Sequence, residues 1–268
     1  MHVLIINLAG AHERMALQER QMRELSLSWE RLEAVTPQTL SPGPEDPLWQ
    51  QWQRPLRVTE MALFASHLAA WRRVLDHVRP CLILEDDALL AASAPAFLRH
   101  LAKVAKTGGA PAIDHVTLET RSRKKLVARR THPQLPMRRL WQDRTGAAAY
   151  VLFPSGAEKL VTRAPRIAAL ADAAIAGCYA LASWQTDPAL AIQVDQSAAY
   201  GIRPPITAQS SVDAVARPGT HDLPSALRRA YRRRRLLAQL RMGARQLAHL
   251  HHAERRQIGI ASDWPELG

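Results

Sequence analysis

Only two cysteines, Cys81 and Cys178, occur in 268 residues. They cannot build a disulfide framework, and a reducing compartment fits. No run reaches the roughly 18 apolar residues that a membrane-spanning helix needs. The Ala-rich stretch 164–182 comes closest and is broken by Arg166 and Asp172. The opening Met-His-Val-Leu-Ile-Ile-Asn is too short for a signal-peptide core and carries no cleavage site. There is no internal repeat, no Gly-rich phosphate loop and no zinc-ligand spacing. A secreted disulfide scaffold and an integral membrane protein are thereby disfavoured. The expectation is a cytoplasmic protein, soluble or peripheral on a membrane.

Acids are scarce in two stretches. Residues 223–256 contain ten Arg and one acid, Glu254, and residues 121–144 contain nine basic residues and one acid, Asp143. These stretches contribute +9 and +8 to a total of +12, so the remaining body is −5. A mildly acidic body with two basic patches argues against coating nucleic acid. It favours local contact with phosphates or with an anionic membrane. Hydrophobic residues make up 47% of the chain, enough for a sizeable core.

What stands out is Pro-Cys-Leu-Ile-Leu-Glu-Asp-Asp-Ala-Leu-Leu at 80–90. Four apolar residues suit a strand buried on both faces, and three acids follow at its carboxyl end, where open α/β sheets bind ligands. Adjacent carboxylates repel, so Glu85, Asp86 and Asp87 suit a hard divalent cation, Mn²⁺ or Mg²⁺, gripping a diphosphate. The competing reading is that they cap a following helix.

Around this stretch, hydrophobic periodicity predicts strands at 3–8, 29–35, 114–120, 137–141, 147–153 and 188–193. Helices are predicted at 12–27, 59–77, 94–106, 157–162 and 168–183, with a capping look at Thr59. Thr107-Gly108-Gly109 reads as a helix stop. Residues 36–55 read as a loop whose Trp49 and Trp52 either pin it to the core or stack on a ligand. Residues 121–136 read as a basic hairpin or a flexible loop, and 202–224 as irregular. His67 shares a helix face with Trp71 and is either a hydrogen-bonded core histidine or a site residue. A helix over 225–252 carries an apolar stripe (Leu227, Tyr231, Leu237, Leu240, Leu247) ringed by Arg. That pattern is the signature of attachment to an anionic membrane surface, or else of a packed helix with a solvated cationic face.

Four blocks together resemble bacterial glycosyltransferase family 25, the lipooligosaccharide galactosyltransferases. They are Ile5-Ile6-Asn7-Leu8 with Glu13-Arg14 and Glu33-Ala34; Thr59-Glu60-Met61-Ala62 with Ser66-His67, Trp71 and Leu82–Asp87; Leu118-Glu119-Thr120 with 146–151 and Ser155-Gly156-Ala157; and Asp172 with 187–193. The third block carries Thr145-Gly146 where the family has Gly-Thr, and Asp172 lacks the usual preceding Pro-Val.

The resemblance implies an α/β fold of GT-A type: a Rossmann-like mixed sheet flanked by helices. Residues 1–222 would form the catalytic domain and 223–268 a basic helical tail. It implies a UDP-sugar donor, galactose by preference, a divalent metal, a lipid-linked glycan acceptor and inversion. Glu85 and Asp87 would hold the metal. Asn7, Leu8, Arg14, Thr59, Ser66, His67 and Asp86 would line the nucleotide. Asp172, or second Glu119, would be the base. A metal-dependent phosphohydrolase and a non-catalytic basic binding module are the competing readings.

Overall fold

The structure is a computed structural model describing residues 1–107, 111–144, 146–206, 219 and 223–267. Its elements are β1 (His2–Asn7), α1 (His12–Glu24), β2 (Trp29–Glu33), α2 (Val58–His77), β3 (Cys81–Glu85), β4 (Ala88–Leu90), α3 (Ala94–Val104), β5 (His115–Thr117), β6 (Lys124–Thr131), β7 (Met137–Gln142), β8 (Ala149–Leu152), α4 (Pro154–Arg163), α5 (Ala171–Ala176), β9 (Ser183–Thr186), β10 (Ala191–Gln193), α6 (Ser225–Ala248) and β11 (Ala253–Gln257).

Nine strands form one mixed sheet in the order β11-β6-β7-β9-β5-β8-β3-β1-β2, and β10 pairs with β4 in a second, two-stranded sheet. β2, β1 and β3 run parallel, and β8 joins β3 antiparallel. Side chains alternate across a strand, so each strand serves two cores. Val3, Ile5, Leu82 and Leu84 enter the core that includes Met15 and Met22 of α1 and Leu98 of α3. Leu4, Ile6, Cys81 and Ile83 enter the core with Phe64, Trp71 and Val74 of α2. Helices on both faces explain the unbroken apolar run of β3.

Helix α2 begins one residue before the expected Thr59. Its N-cap is Arg57, whose N–H donates to the carboxylate of Glu60 at 2.9 Å. Glu60 also receives both amines of Arg54 at 2.8 Å. Thr59 lies within the first turn. Trp49 pins the 36–55 loop: it is buried, donates to the carbonyls of Pro42 and Gly43, and sits edge-on to Phe64.

Three expectations are corrected. Helix at 168–183 shrinks to α5, because sheet pairing claims residue 182: Ala182 donates to Asp114 Oδ2 at 2.7 Å and its carbonyl accepts from Asp114 N. The acids at 85–87 cap no helix, since β4 follows them directly. The segment 223–268 is helix only to Ala248; β11 then pairs antiparallel with β6, and Ala189 bonds to Gly259 and Ala261. Of the 121–136 alternatives the hairpin forms, with β6 paired to β7. Residues 108–109, and most of 202–224, lie outside the described residues.

Two buried amides tie α1 to the acidic turn. Gln18 Nε2 donates to the carbonyls of Asp86 and Ala88, and Gln21 accepts from Leu90 N at 2.7 Å while donating to Ala88 O. Gln21→Leu leaves Leu90 N–H buried and unpaired. We expect a loss of about 1–3 kcal/mol in denaturant unfolding, with secondary structure retained.

Candidate active site

The alternation of β3 decides where its acids go. Glu85 continues the parity of Cys81 and Ile83 toward α2, and there His67 Nε2 lies 3.2 Å from Glu85 Oε1. Asp86 continues the parity of Leu82 and Leu84 toward α1, and there Arg14 donates to Oδ1 at 2.9 Å and Asn7 to Oδ2 at 2.8 Å. Asp87 turns back beside Glu85. The Gln193 amide on β10 spans the two, 3.5 Å from Glu85 Oε2 and 3.4 Å from both oxygens of Asp87.

Asp86 is therefore the one of the three with a guanidinium partner, although burial still pushes its pKa up. Among the described residues neither Glu85 nor Asp87 has a Lys or Arg in ion-pair contact. Burial, then the neighbouring carboxylates, push both up to about 7. Two such carboxylates with a shared amide suit a hard divalent cation, which would supply the charge that their surroundings lack.

The far wall is Glu119, just past β5. It is buried; Oε1 accepts from Ala148 N at 3.2 Å and Oε2 has no partner. Burial pushes it up to about 8, with Glu85 contributing. A Cβ on Gly146 would stand 2.1 Å from Glu119 Oε1, and φ there is +113°, so only glycine fits. Lys125 is buried below, donating to Glu119 O and Gln185 Oε1 and pairing with Asp143 at 2.7 Å.

His67 is fully buried and burial lowers it to about 4, so it is neutral at pH 7. Its Nδ1 meets Tyr150 Oη at 2.9 Å, and Trp71 donates to the same oxygen. The core-histidine and site-residue readings of His67 merge: it is packed in the core and braces Glu85. Asp172, in the first turn of α5, is partly exposed, and its carboxylate raises the pKa of both Glu85 and His67. Burial raises Asp172 itself. It borders a small cavity of about 30 Å³ with Thr117, Asp143 and Gly146.

Of the expected residues, Glu85, Asp87, His67, Glu119 and Asp172 thus converge. Asn7, Arg14 and Asp86 form a second cluster on the α1 side, with Leu8 just after β1. Ser66 is occupied in holding the chain after β2: its hydroxyl accepts from Val35 N and donates to Ala62 O. Sequence reasoning gave no role to Gln193 or Tyr150, and read Lys125 and Arg121 only as part of a basic patch for acceptor phosphates. Arg121 turns inward to donate to Gln193 Oε1 and lies 3.9 Å from Asp195. The only cue to Gln193 was its place in the quoted block 187–193.

A family model described as glycosyltransferase family 25 (LPS biosynthesis protein) matches residues 1–175, from β1 into α5. The large mixed sheet flanked by helices is consistent with a glycosyltransferase. The chain belongs to glycosyltransferase family 25. No curated protein matches it.

The raised pKa of Glu119 sets a pH signature. Its unfolded value is near the ordinary 4.5 and its folded value about 8, so the folded state binds the extra proton between them. The ionised form costs stability, absent below the unfolded value and complete above the folded one. Glu119→Gln keeps an oxygen for Ala148 N. Relative to wild type its stability should climb from pH 4.5 to 8, by on the order of a few kcal/mol. A pH-independent difference in unfolding free energy contradicts this.

Proposed function

We propose that the chain transfers a sugar, galactose by preference, from a UDP-sugar to a hydroxyl of a lipooligosaccharide-type glycan, with inversion, on a GT-A type fold. The observation that carries this reading is the pair Glu85 and Asp87, joined by the Gln193 amide and with no Lys or Arg ion pair among the described residues, beside a second carboxylate wall at the carboxyl end of a parallel strand. These two side chains would hold Mn²⁺ or Mg²⁺, which when bound neutralises charge on the diphosphate.

The chain's own residues do the rest. Asn7, Leu8 and Arg14, with Thr59 across on α2, border the nucleotide end. Gln193 and Arg121 orient the metal-binding carboxylates. Asp172 accepts the acceptor's hydroxyl proton as that oxygen attacks the anomeric carbon. The bond from that carbon to the diphosphate oxygen breaks on the opposite side, and UDP leaves with the electron pair. Asp172 suits this better than Glu119 because it is partly exposed, whereas Glu119 lies sealed under Gly146. Glu119 then forms the buried wall behind the two metal-binding carboxylates.

Next to α5 a cavity of about 580 Å³ opens between the body and α6, lined by Trp52, Arg144, Arg163, Tyr179, Arg234 and Arg241 among others. Its aromatic and cationic walls suit an anionic saccharide acceptor. Helix α6 docks there: Arg245 donates to Trp141 O, Gln246 to Gln142, and Tyr231 is buried. Leu236, Leu240, Leu247 and Leu250 remain exposed among the arginines. That surface suits an anionic membrane, and no helix of the described residues is long and apolar enough to cross one.

Asp172→Asn should lower kcat by about 10²–10⁴ while UDP binding is retained. An activity within a few-fold of wild type removes Asp172 from the base role. Since β11 belongs to the sheet, the membrane reading is tested by charge reversal rather than truncation. Arg229, Arg232 and Arg233 are exposed. Changing all three to Glu should weaken binding to anionic vesicles by at least about 100-fold, at about 1 kcal/mol per Arg. Transfer to a soluble acceptor should persist. Unchanged vesicle binding contradicts the membrane role of α6.

A further inference from the structure

At the opposite end of the sheet three side chains meet that the transfer chemistry does not use. Parallel pairing sets His2 beside Cys81 and Leu4 beside Glu30. His2, Leu4 and Glu30 therefore share the face that α2 covers. His77, the last residue of α2, descends onto them. Glu30 Oε2 lies 3.4 Å from His2 Nε2 and 3.6 Å from His77 Nε2, and the three ligand atoms lie within 4.8 Å of one another.

These spacings are long for hydrogen bonds, which cluster near 2.7–3.2 Å. His77 Nε2 is buried and has no hydrogen-bond partner. The spacings do match ligands on one ion. Tetrahedral bonds of about 2.0–2.1 Å put ligand atoms roughly 3.3 Å apart, and two imidazoles so bound have centroids about 5.2 Å apart. The His2 and His77 rings are 5.3 Å apart at 69°. The other oxygen of Glu30 accepts from Arg73 Nε at 2.7 Å, the kind of outer hydrogen bond that orients a ligating carboxylate. Arg73 Nη2 reaches Oε2 as well, at 3.3 Å. The carboxyl end of α2 adds a partial negative charge.

We propose that His2, Glu30 and His77 form a divalent-metal site, taking Zn²⁺ by preference, with a fourth position open to water. Two imidazole nitrogens and one carboxylate select a borderline ion over Mg²⁺ or Mn²⁺. The ion joins the starts of β1 and β2 to the end of α2. It lies roughly 17 Å along β1 from Asn7 and the acids. It is thus a structural ion, separate from any at Glu85 and Asp87. The ligands span 75 residues of sequence, so no local spacing announces them.

The test uses the full chain stripped with chelator, then dialysed against micromolar Zn²⁺. Bound zinc is counted by elemental analysis and Tm is recorded with and without the metal. Wild type should hold one equivalent more than His77→Gln or His2→Gln. Zn²⁺ should raise Tm in wild type more than in either variant, and affinity at this site should fall by more than about 100-fold on substitution. Co²⁺ should give wild type the intense visible bands of a four-coordinate site, absent from both variants. Equal zinc content and equal Tm shifts in all three proteins overturn the proposal. Should His77→Gln fail to fold, His2→Gln at the chain's start carries the same comparison.

Discussion

Everything at the site depends on one geometric constraint: a strand buried on both faces that ends in three carboxylates must send them to alternating sides. The α1 side provides Arg14 and Asn7, and both donate to Asp86 there. The α2 side provides a neutral His67 and an amide, and among the described residues no guanidinium in ion-pair contact with Glu85 or Asp87. Glu85 and Asp87 therefore keep repelling one another across Gln193. Two adjacent acids meet different partners because one residue of rise flips the side chain, although burial raises the pKa of both.

The surrounding structure holds this imbalance in place. Gln18 and Gln21 fix the turn from the α1 side, while Tyr150, shared by His67 and Trp71, fixes the α2 side. Gly146 closes over Glu119, and Lys125 holds the Glu119 carbonyl from below. Buried acids with raised pKa values are costly to keep, and such clusters concentrate where binding or catalysis needs them. Asp172 joins from a short helix that faces the larger cavity and the basic α6.

Much of this was legible in the sequence. The strand at 81–85 was plain because an apolar run stops at three acids, and the parallel frame followed from apolar runs alternating with helical periods. The family blocks pointed to His67, Glu119 and Asp172. The partners were not legible: Asn7 and Arg14 stand 79 and 72 residues from Asp86, and Gln193 stands 106 from Asp87. Alanine composition over-extended the helix at 168–183, since propensity carries no information about the pairing of Ala182 with Asp114. β11, Ala-Glu-Arg-Arg-Gln, has no apolar alternation; it is a strand because the edge of β6 offers its backbone.

The central claim is that Glu85 and Asp87 form a cation site that completes a nucleotide-diphosphate pocket. Calorimetric titration of UDP into wild type and Asp87→Ala, with and without Mn²⁺, tests it most directly. The account predicts UDP binding to wild type that requires Mn²⁺ and is lost in Asp87→Ala. UDP binding that is indifferent to Mn²⁺ and to the substitution, or absent under every condition, would contradict it.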